Sequence, residues 1–98
     1  MIVLNRSLTL MEVRQENGRG GSAVVMTKTV AASVNEPSIS LTVRAEYVGR
    51  SIDLLAVIRR TDYRPGWNYA EVNGVRYRIQ SVNPTDKELF VRLVLERG

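Results

Sequence analysis

Residues Tyr69 to Gly98 read YAEVNGVRYRIQSVNPTDKELFVRLVLERG, and this stretch carries the clearest fold signal in the chain. Asn73-Gly74 separates two alternating runs, and this dipeptide tolerates the positive φ angles that a type I′ hairpin turn requires at both central positions. The segment NPTDK turns the chain again before a last alternating run. The stretch therefore predicts three consecutive antiparallel strands joined by two short turns.

Alternation also assigns a face to each side chain, because successive residues of a strand point to opposite sides of the sheet. After the hairpin turn, the predicted core face holds Val75, Tyr77 and Ile79, and the outer face holds Arg76, Arg78 and Gln80. In the last strand, the predicted core face holds Leu89, Val91, Leu93 and Leu95. The arginines are thus exposed by strand geometry, and exposure alone does not indicate phosphate binding.

The upstream sequence predicts three more strands and one helix. NRSLTLMEVRQ and AVVMTKTVAASV are strand-like, and a glycine-rich loop from Glu16 to Ser22 joins them. The apolar run from Ile52 to Ile58 predicts another strand. SISLTVRAEYVGRS alternates like a strand but also has helical spacing, and Gly49 suits the position after a helix. We favour a short helix from Ser40 to Val48.

Composition bounds the class of protein. The chain has 98 residues, a net charge of +4, and 14 basic residues of which all but Lys28 and Lys87 are arginine. About six strands and one short helix in this length predict a single domain, 1–98, with a mainly β fold: a small antiparallel barrel. Arginine suits phosphate, carboxylate and protein interfaces, so an acidic partner, nucleic acid or a merely solvated basic surface all remain open.

Composition also argues against several kinds of site. Cysteine and histidine are absent, which excludes disulfides and thiolate sites and removes the commonest general base and zinc ligand. The ten carboxylates show no catalytic spacing. We therefore expect no enzymatic activity, no cofactor and no metal. The N-terminal MIVL is too short for a signal peptide and no apolar run approaches a membrane span, so we expect a soluble protein made in the cytoplasm, without a membrane partner.

Two loops are candidate functional elements. Gly18, Arg19, Gly20 and Gly21 lack the order of a phosphate-binding loop and precede a strand rather than a helix, so they indicate a mobile loop with a possible contact role. In the second loop, Trp67 and Tyr69 lie close to Arg64, as in OB-like barrels that stack single-stranded nucleic acid on aromatic rings. Trp67 is equally suited to cover one end of a barrel.

Several segments together resemble the head–tail adaptor, or head-closure, family of long-tailed bacteriophages. They are VAASV at Val30–Val34, AEYVG at Ala45–Gly49, LLAVIRRTDY at Leu54–Tyr63, NGVRYRIQSV at Asn73–Val82 and KELFVRLVLE at Lys87–Glu96. LTLMEV also looks similar to the first strand of that family. Their order and spacing match over about two thirds of the chain. The loop sequence RPGWN does not belong to the family pattern.

The resemblance implies a structural protein of the virion, at the head–tail junction of a phage or prophage. Such proteins form a homo-oligomeric ring below the portal, seal the DNA channel, dock the tail, and let DNA pass without reading its sequence. Gly18 to Gly21 is then the candidate channel loop. The candidate interface residues, toward neighbouring copies or the portal, are Arg44, Arg59, Arg60, Arg64 and Trp67. A single-stranded nucleic-acid-binding barrel remains the alternative.

Overall fold

A computed structural model describes residues 3–15, 21–37, 52–85 and 87–97 of the chain. Six strands are present there: β1 (Arg6–Gln15), β2 (Ser22–Asn35), β3 (Leu54–Arg59), β4 (Tyr69–Val72), β5 (Val75–Pro84) and β6 (Phe90–Arg97). All neighbours pair antiparallel, and the sheet closes on itself in the order β1-β2-β3-β6-β5-β4. The predicted mainly β, antiparallel fold is confirmed.

Helix is almost absent from these ranges. A 3-10 turn at Arg60–Asp62, directly after β3, is the one helical element among the described residues. The helix predicted from Ser40 to Val48 lies outside the described residues and stays a prediction. Within the described ranges no helix has the length and the apolar character that crossing a bilayer would take.

The hairpin turn between β4 and β5 has the predicted geometry. Asn73 has φ 51° and Gly74 has φ 79°, and Val72 pairs with Val75 across them. Positive φ at both central positions defines the type I′ turn, whose twist matches that of the strands it joins. Asparagine accepts the left-handed region at lower cost than other residues with a Cβ, so this dipeptide fixes the β4–β5 register.

The core consists of buried side chains from β1, β2, β3, β4 and β6 and from the loop residue Trp67, while the core-facing residues of β5 are only partly buried. Its largest fully buried members are Leu8, Leu10, Ile58, Leu93 and Leu95. On β5, Tyr77 and Ile79 pack against this cluster while Arg76 and Arg78 are exposed, as alternation predicted. In β3, three consecutive residues, Ala56, Val57 and Ile58, are buried, which explains the continuous apolar run there.

Leu89 corrects one assignment to the core face. Its side chain is 75% exposed, whereas Val91 and Leu93, which were assigned to the same face, are buried. The reason is that β6 begins at Phe90, and Leu89 lies in the preceding turn, in which the Phe90 N–H donates to the Lys87 carbonyl. Side chains alternate between the two faces only where hydrogen bonds to neighbouring strands keep the chain extended.

The β1–β2 hairpin is longer than the ring it belongs to. β1 and β2 pair from Arg6–Ala32 to Gln15–Ser22, with one bulge between Glu12 and Val13. In contrast, β4 joins β1 only at Thr9–Met11, and β3 joins β2 only at Ala32–Asn35. Residues 12–15 and 22–26 therefore extend past the ring, and we call them the overhang. We call residues 24–31 of β2 the free edge, since no described strand pairs with them on the side away from β1.

Candidate functional site: a cleft beside the free edge

The loop after β3 forms one wall of the site. The chain leaves β3 through the 3-10 turn and bends at Arg64–Trp67, where the backbone N–H of Trp67 donates to the Arg64 carbonyl (3.1 Å). The φ angle of Gly66 is not positive, so the turn itself does not need glycine. A Cβ at Gly66 would lie 2.5 Å from Glu12 Oε1 and 2.6 Å from Arg64 Nη1. Glycine is there to let the loop approach the overhang.

Asn68 ties this loop to β1. Its Oδ1 accepts from the Val13 N–H (2.8 Å) and its Nδ2 donates to the Val13 carbonyl (2.9 Å). Its backbone N–H donates to the Met11 carbonyl, and its own carbonyl accepts from the Ile79 N–H. One side-chain amide thus imitates a strand residue opposite Val13 and continues the β1–β4 pairing into the overhang.

Trp67 closes this end of the barrel. Its side chain is only 4% exposed and belongs to the core cluster. The Arg64 guanidinium lies over the indole ring, with Cζ 4.4 Å from the ring centroid, a cation–π geometry. The indole N–H is buried and has no acceptor among the described residues. A buried donor without a partner is uncommon and marks a place where an acceptor would be favourable.

Glu12 occupies the next inward position of β1 after Leu8 and Leu10, and it is buried despite its charge. Arg14 Nη2 lies 2.8 Å from Glu12 Oε2, and Arg64 Nη2 lies 3.3 Å from Glu12 Oε1. Two guanidinium groups therefore neutralise one carboxylate at the point where the apolar face of β1 ends. A buried carboxylate needs this kind of compensation.

Two further contacts cross from the loop to β2. Lys28 Nζ lies 3.3 Å from Asp62 Oδ1, and Arg64 Nη2 lies 2.7 Å from the sulfur of Met26. Between these bridges lies a cleft of about 290 Å³ lined by Met26, Thr27, Lys28, Thr61, Asp62, Tyr63, Arg64 and Trp67. The cleft therefore runs along the free edge, with cationic groups on both walls.

A second cleft, of about 320 Å³, lies at the opposite end of the barrel. It is lined by Arg6, Val34, Asn35, Glu36, Leu54, Val72, Asn73, Val75 and Tyr77. No buried polar side chain among the described lining residues lacks a partner. We therefore take the first cleft as the candidate site.

An ion pair on the outside of the barrel lies apart from both clefts. Arg78 Nη2 donates to Glu96 Oε2 at 2.6 Å, across the β5–β6 pairing of these two residues. The hydrogen bond and the negative charge of Glu96 raise the pKa of Arg78. Gln80 also donates to the same carboxylate oxygen. This group stabilises the outer surface and shows no opening for a ligand.

The predicted interface residues are divided by the structure. Arg59, Arg60 and Arg64 are exposed at the end of β3 and in the loop that follows, so they share one region of the surface. Trp67 is buried, so it supports this surface from beneath. Arg44 lies outside the described residues.

The predicted channel loop falls largely outside the described residues as well. Gly18, Arg19 and Gly20 are not among them, while Gly21 is exposed, with open space around the position of its Cβ. For the nucleic-acid alternative, Trp67 is buried beneath Arg64 and Tyr69 is half-buried, so neither ring is a free stacking surface.

Among the site residues that were not identified from the sequence are Glu12, Asn68 and Lys28. Glu12 had a signal, because it follows Leu8 and Leu10 at strand spacing and is the charged continuation of a core face. Asn68 and Lys28 had none, since their partners lie far away along the chain.

A scan against protein-family models and a search of curated protein sequences found no match to this chain.

Proposed function

We propose that the protein is a structural head–tail connector, of the head-closure or adaptor kind, from a phage or prophage. Copies form a ring below the portal, at the head–tail junction of the virion, close the DNA channel and present a docking surface to the tail. The role is mechanical, with no catalysis and no cofactor. The sequence resemblance supports this proposal, and so does the architecture with which it agrees.

The observation that carries the proposal is a closed sheet combined with a hairpin that is too long for it. Closure leaves few backbone groups of the ring unpaired, so copies of the barrel can stand side by side without merging into a continuous sheet. The overhang projects from this rigid body. Residues 16–21 join its two strands, and they include the candidate channel loop Gly18 to Gly21.

Arginine supplies the proposed contacts between copies. Arg59, Arg60 and Arg64 share one exposed region, and guanidinium groups bind carboxylates of a neighbouring subunit or of the portal in bidentate fashion. DNA passing through the channel is met by loops and not read by sequence. The buried Trp67 gives this region a rigid support, which a repeated contact in a ring requires.

Electron microscopy of the protein mixed with its portal tests the proposal. We expect a ring of additional density at the tail-facing end of the portal, and portal and major capsid genes beside the gene for this chain. A double variant, Arg59→Glu with Arg60→Glu, should abolish the ring because it places like charges at the contact. The matched control is Arg76→Glu, which changes an exposed arginine on β5 and should leave the ring intact.

The alternative function makes an opposite prediction. A single-stranded nucleic-acid-binding barrel would bind short oligonucleotides as a monomer, and its affinity would fall linearly with salt on a log–log plot. Tight, salt-sensitive binding of this kind, without ring formation on the portal, would overturn the connector proposal.

A further inference from the structure

We propose that the cleft beside β2 binds an extended, carboxylate-bearing segment of another protein, which adds to the free edge as a further strand. This site goes beyond the connector role, because it belongs to a single copy and needs no ring. It rests on three features of the described residues: unpaired backbone groups, cations in long ion pairs and a buried donor without an acceptor.

The contacts of Asn68 show in which direction the backbone groups of the free edge point. Asn68 bonds to the Met11 carbonyl and to both backbone groups of Val13, so these residues direct their backbone groups away from β2. In an antiparallel pair, the residue opposite such a position also points its N–H and C=O outward. Met11 is opposite Thr27, and Thr9 is opposite Thr29. Thr27 and Thr29 therefore offer donors and acceptors to an added strand.

The ion pairs of the cations beside this edge are long. The Lys28–Asp62 and Arg64–Glu12 pairs have N···O distances of 3.3 Å, while Arg14 lies 2.8 Å from Glu12. Ammonium and guanidinium groups that bind carboxylates well do so at about 2.7–2.9 Å. Asp62 and Glu12 partner Lys28 and Arg64 in the absence of a ligand. The carboxylates of the added segment replace them at shorter distances. Glu12 keeps Arg14 as its partner when Arg64 turns away.

Trp67 supplies the third feature. Its indole N–H is buried without an acceptor, and Arg64 covers its ring. When Arg64 turns toward an incoming carboxylate, the environment of the Trp67 ring and of its unpartnered indole N–H changes. Because Trp67 is the one tryptophan in the chain, its fluorescence reports this change directly.

The chemistry favours a peptide over nucleic acid as the occupant. A strand edge recognises backbone amides, which a nucleic acid lacks. Base stacking needs an open aromatic face, and the ring of Trp67 is enclosed by the core and by Arg64. Lys28 and Arg64, on opposite walls of the cleft, select for acidic side chains on the added strand.

Titration of the full chain with a short peptide of alternating threonine and glutamate tests the proposal. We expect saturable binding seen as a change in Trp67 fluorescence, with amide chemical-shift changes centred on Thr27 and Thr29. A matched peptide with glutamine in place of glutamate should bind about tenfold more weakly, because it lacks charge. A single-stranded oligonucleotide should not compete. Equal binding of both peptides, competition by the oligonucleotide, or no binding would overturn the proposal.

Two substitutions separate edge pairing from simple charge attraction. Thr27→Pro removes one outward N–H without touching the pairing to β1, and should weaken peptide binding about tenfold, while Thr27→Ala keeps the N–H and binds normally. Lys28→Glu leaves the backbone unchanged and should abolish discrimination between the two peptides. It keeps the proposal testable if the proline variant does not fold. Unchanged discrimination in Lys28→Glu, or unchanged affinity in folded Thr27→Pro, would overturn it.

Discussion

The enclosed part of the barrel and the overhang are made from the same two strands, yet they are built on different chemistry. Along the inward face of β1, Leu8 and Leu10 are fully buried, and the next inward residue is the charged Glu12. Along β2, Val30 of the enclosed part is buried, whereas Val24, Val25 and Met26 of the overhang are exposed. The inward face of β1 changes from apolar to charged where the neighbouring strands stop, and the β1–β2 register shifts at the same place, between Glu12 and Val13.

This contrast shows that burial in a sheet depends on neighbours on both sides of a strand. Inside the ring every strand has two, and apolar side chains from all directions fill the interior. In the overhang β1 and β2 have only each other, and a lone two-stranded hairpin is marginal in water. Arg64, Asn68 and their partners compensate with polar contacts to the loop. We infer that the ring supplies most of the stability.

Truncation of apolar side chains should give the largest difference in stability between the two regions. Leu10→Ala, in the enclosed part, should lower the free energy of unfolding by about 2–5 kcal/mol because it leaves a cavity in a close-packed core. Val25→Ala, in the overhang, removes an exposed side chain and should cost less than about 0.5 kcal/mol. Urea denaturation of both variants measures the difference. Similar losses would mean that the overhang is as tightly packed as the ring.

The Asn68 contacts test whether polar bridging holds the overhang to the loop. Asn68→Ala removes two side-chain hydrogen bonds to Val13 and should cost about 1–2 kcal/mol in the free energy of unfolding. The control is Asn83→Ala, which removes only a 3.5 Å contact to Ser81 on the surface and should have little effect. Amide exchange at Val13 should also become faster in the first variant alone. Equal stability of the two variants would refute the bridging role.

Gly66 tests how closely the loop must approach the overhang. Gly66→Ala places a Cβ against the ends of Glu12 and Arg64, two flexible side chains that can shift, so we expect a loss of only about 1 kcal/mol. Displacement of Arg64 from the ring should also change the fluorescence of Trp67. Gly21→Ala, which has open space around it, serves as the control and should change neither property. An unaltered Trp67 signal in Gly66→Ala would show that Arg64 does not depend on this approach.

The outer surface of the enclosed part should respond least. Arg78→Gln breaks the exposed pair with Glu96, so the loss of stability should be smaller than for Gly66→Ala and should shrink as salt is added. Because Glu96 raises the pKa of Arg78, this contribution is complete at neutral pH and is lost only as the pH rises through that raised pKa. Urea midpoints at about pH 6 and pH 9 should therefore differ equally between variant and wild type. A difference that closes between these pH values would contradict the assignment.

The sequence predicted most of the ring and little of the cleft. Strand alternation and the Asn73-Gly74 dipeptide are local signals, and both were sufficient for the elements and for the outward arginines. Leu89 was assigned wrongly because alternation was extended one residue beyond the start of the ladder. The cleft depends on contacts such as Asn68 with Val13, which are 55 residues apart and leave no pattern along the chain.

The unequal closure of the ring sets where it opens. β3 and β6 pair over all of Leu54–Arg59, whereas β1 and β4 pair only over Thr9–Met11. The barrel thus consists of two three-stranded units, β1 to β3 and β4 to β6. They are joined by the long β3–β6 pairing and the short β1–β4 pairing. Local opening should break the short β1–β4 pairing first, while the long β3–β6 pairing holds. Solvent should then enter the interior between β1 and β4, where the hydrogen bonds of Asn68 to β1 oppose this opening.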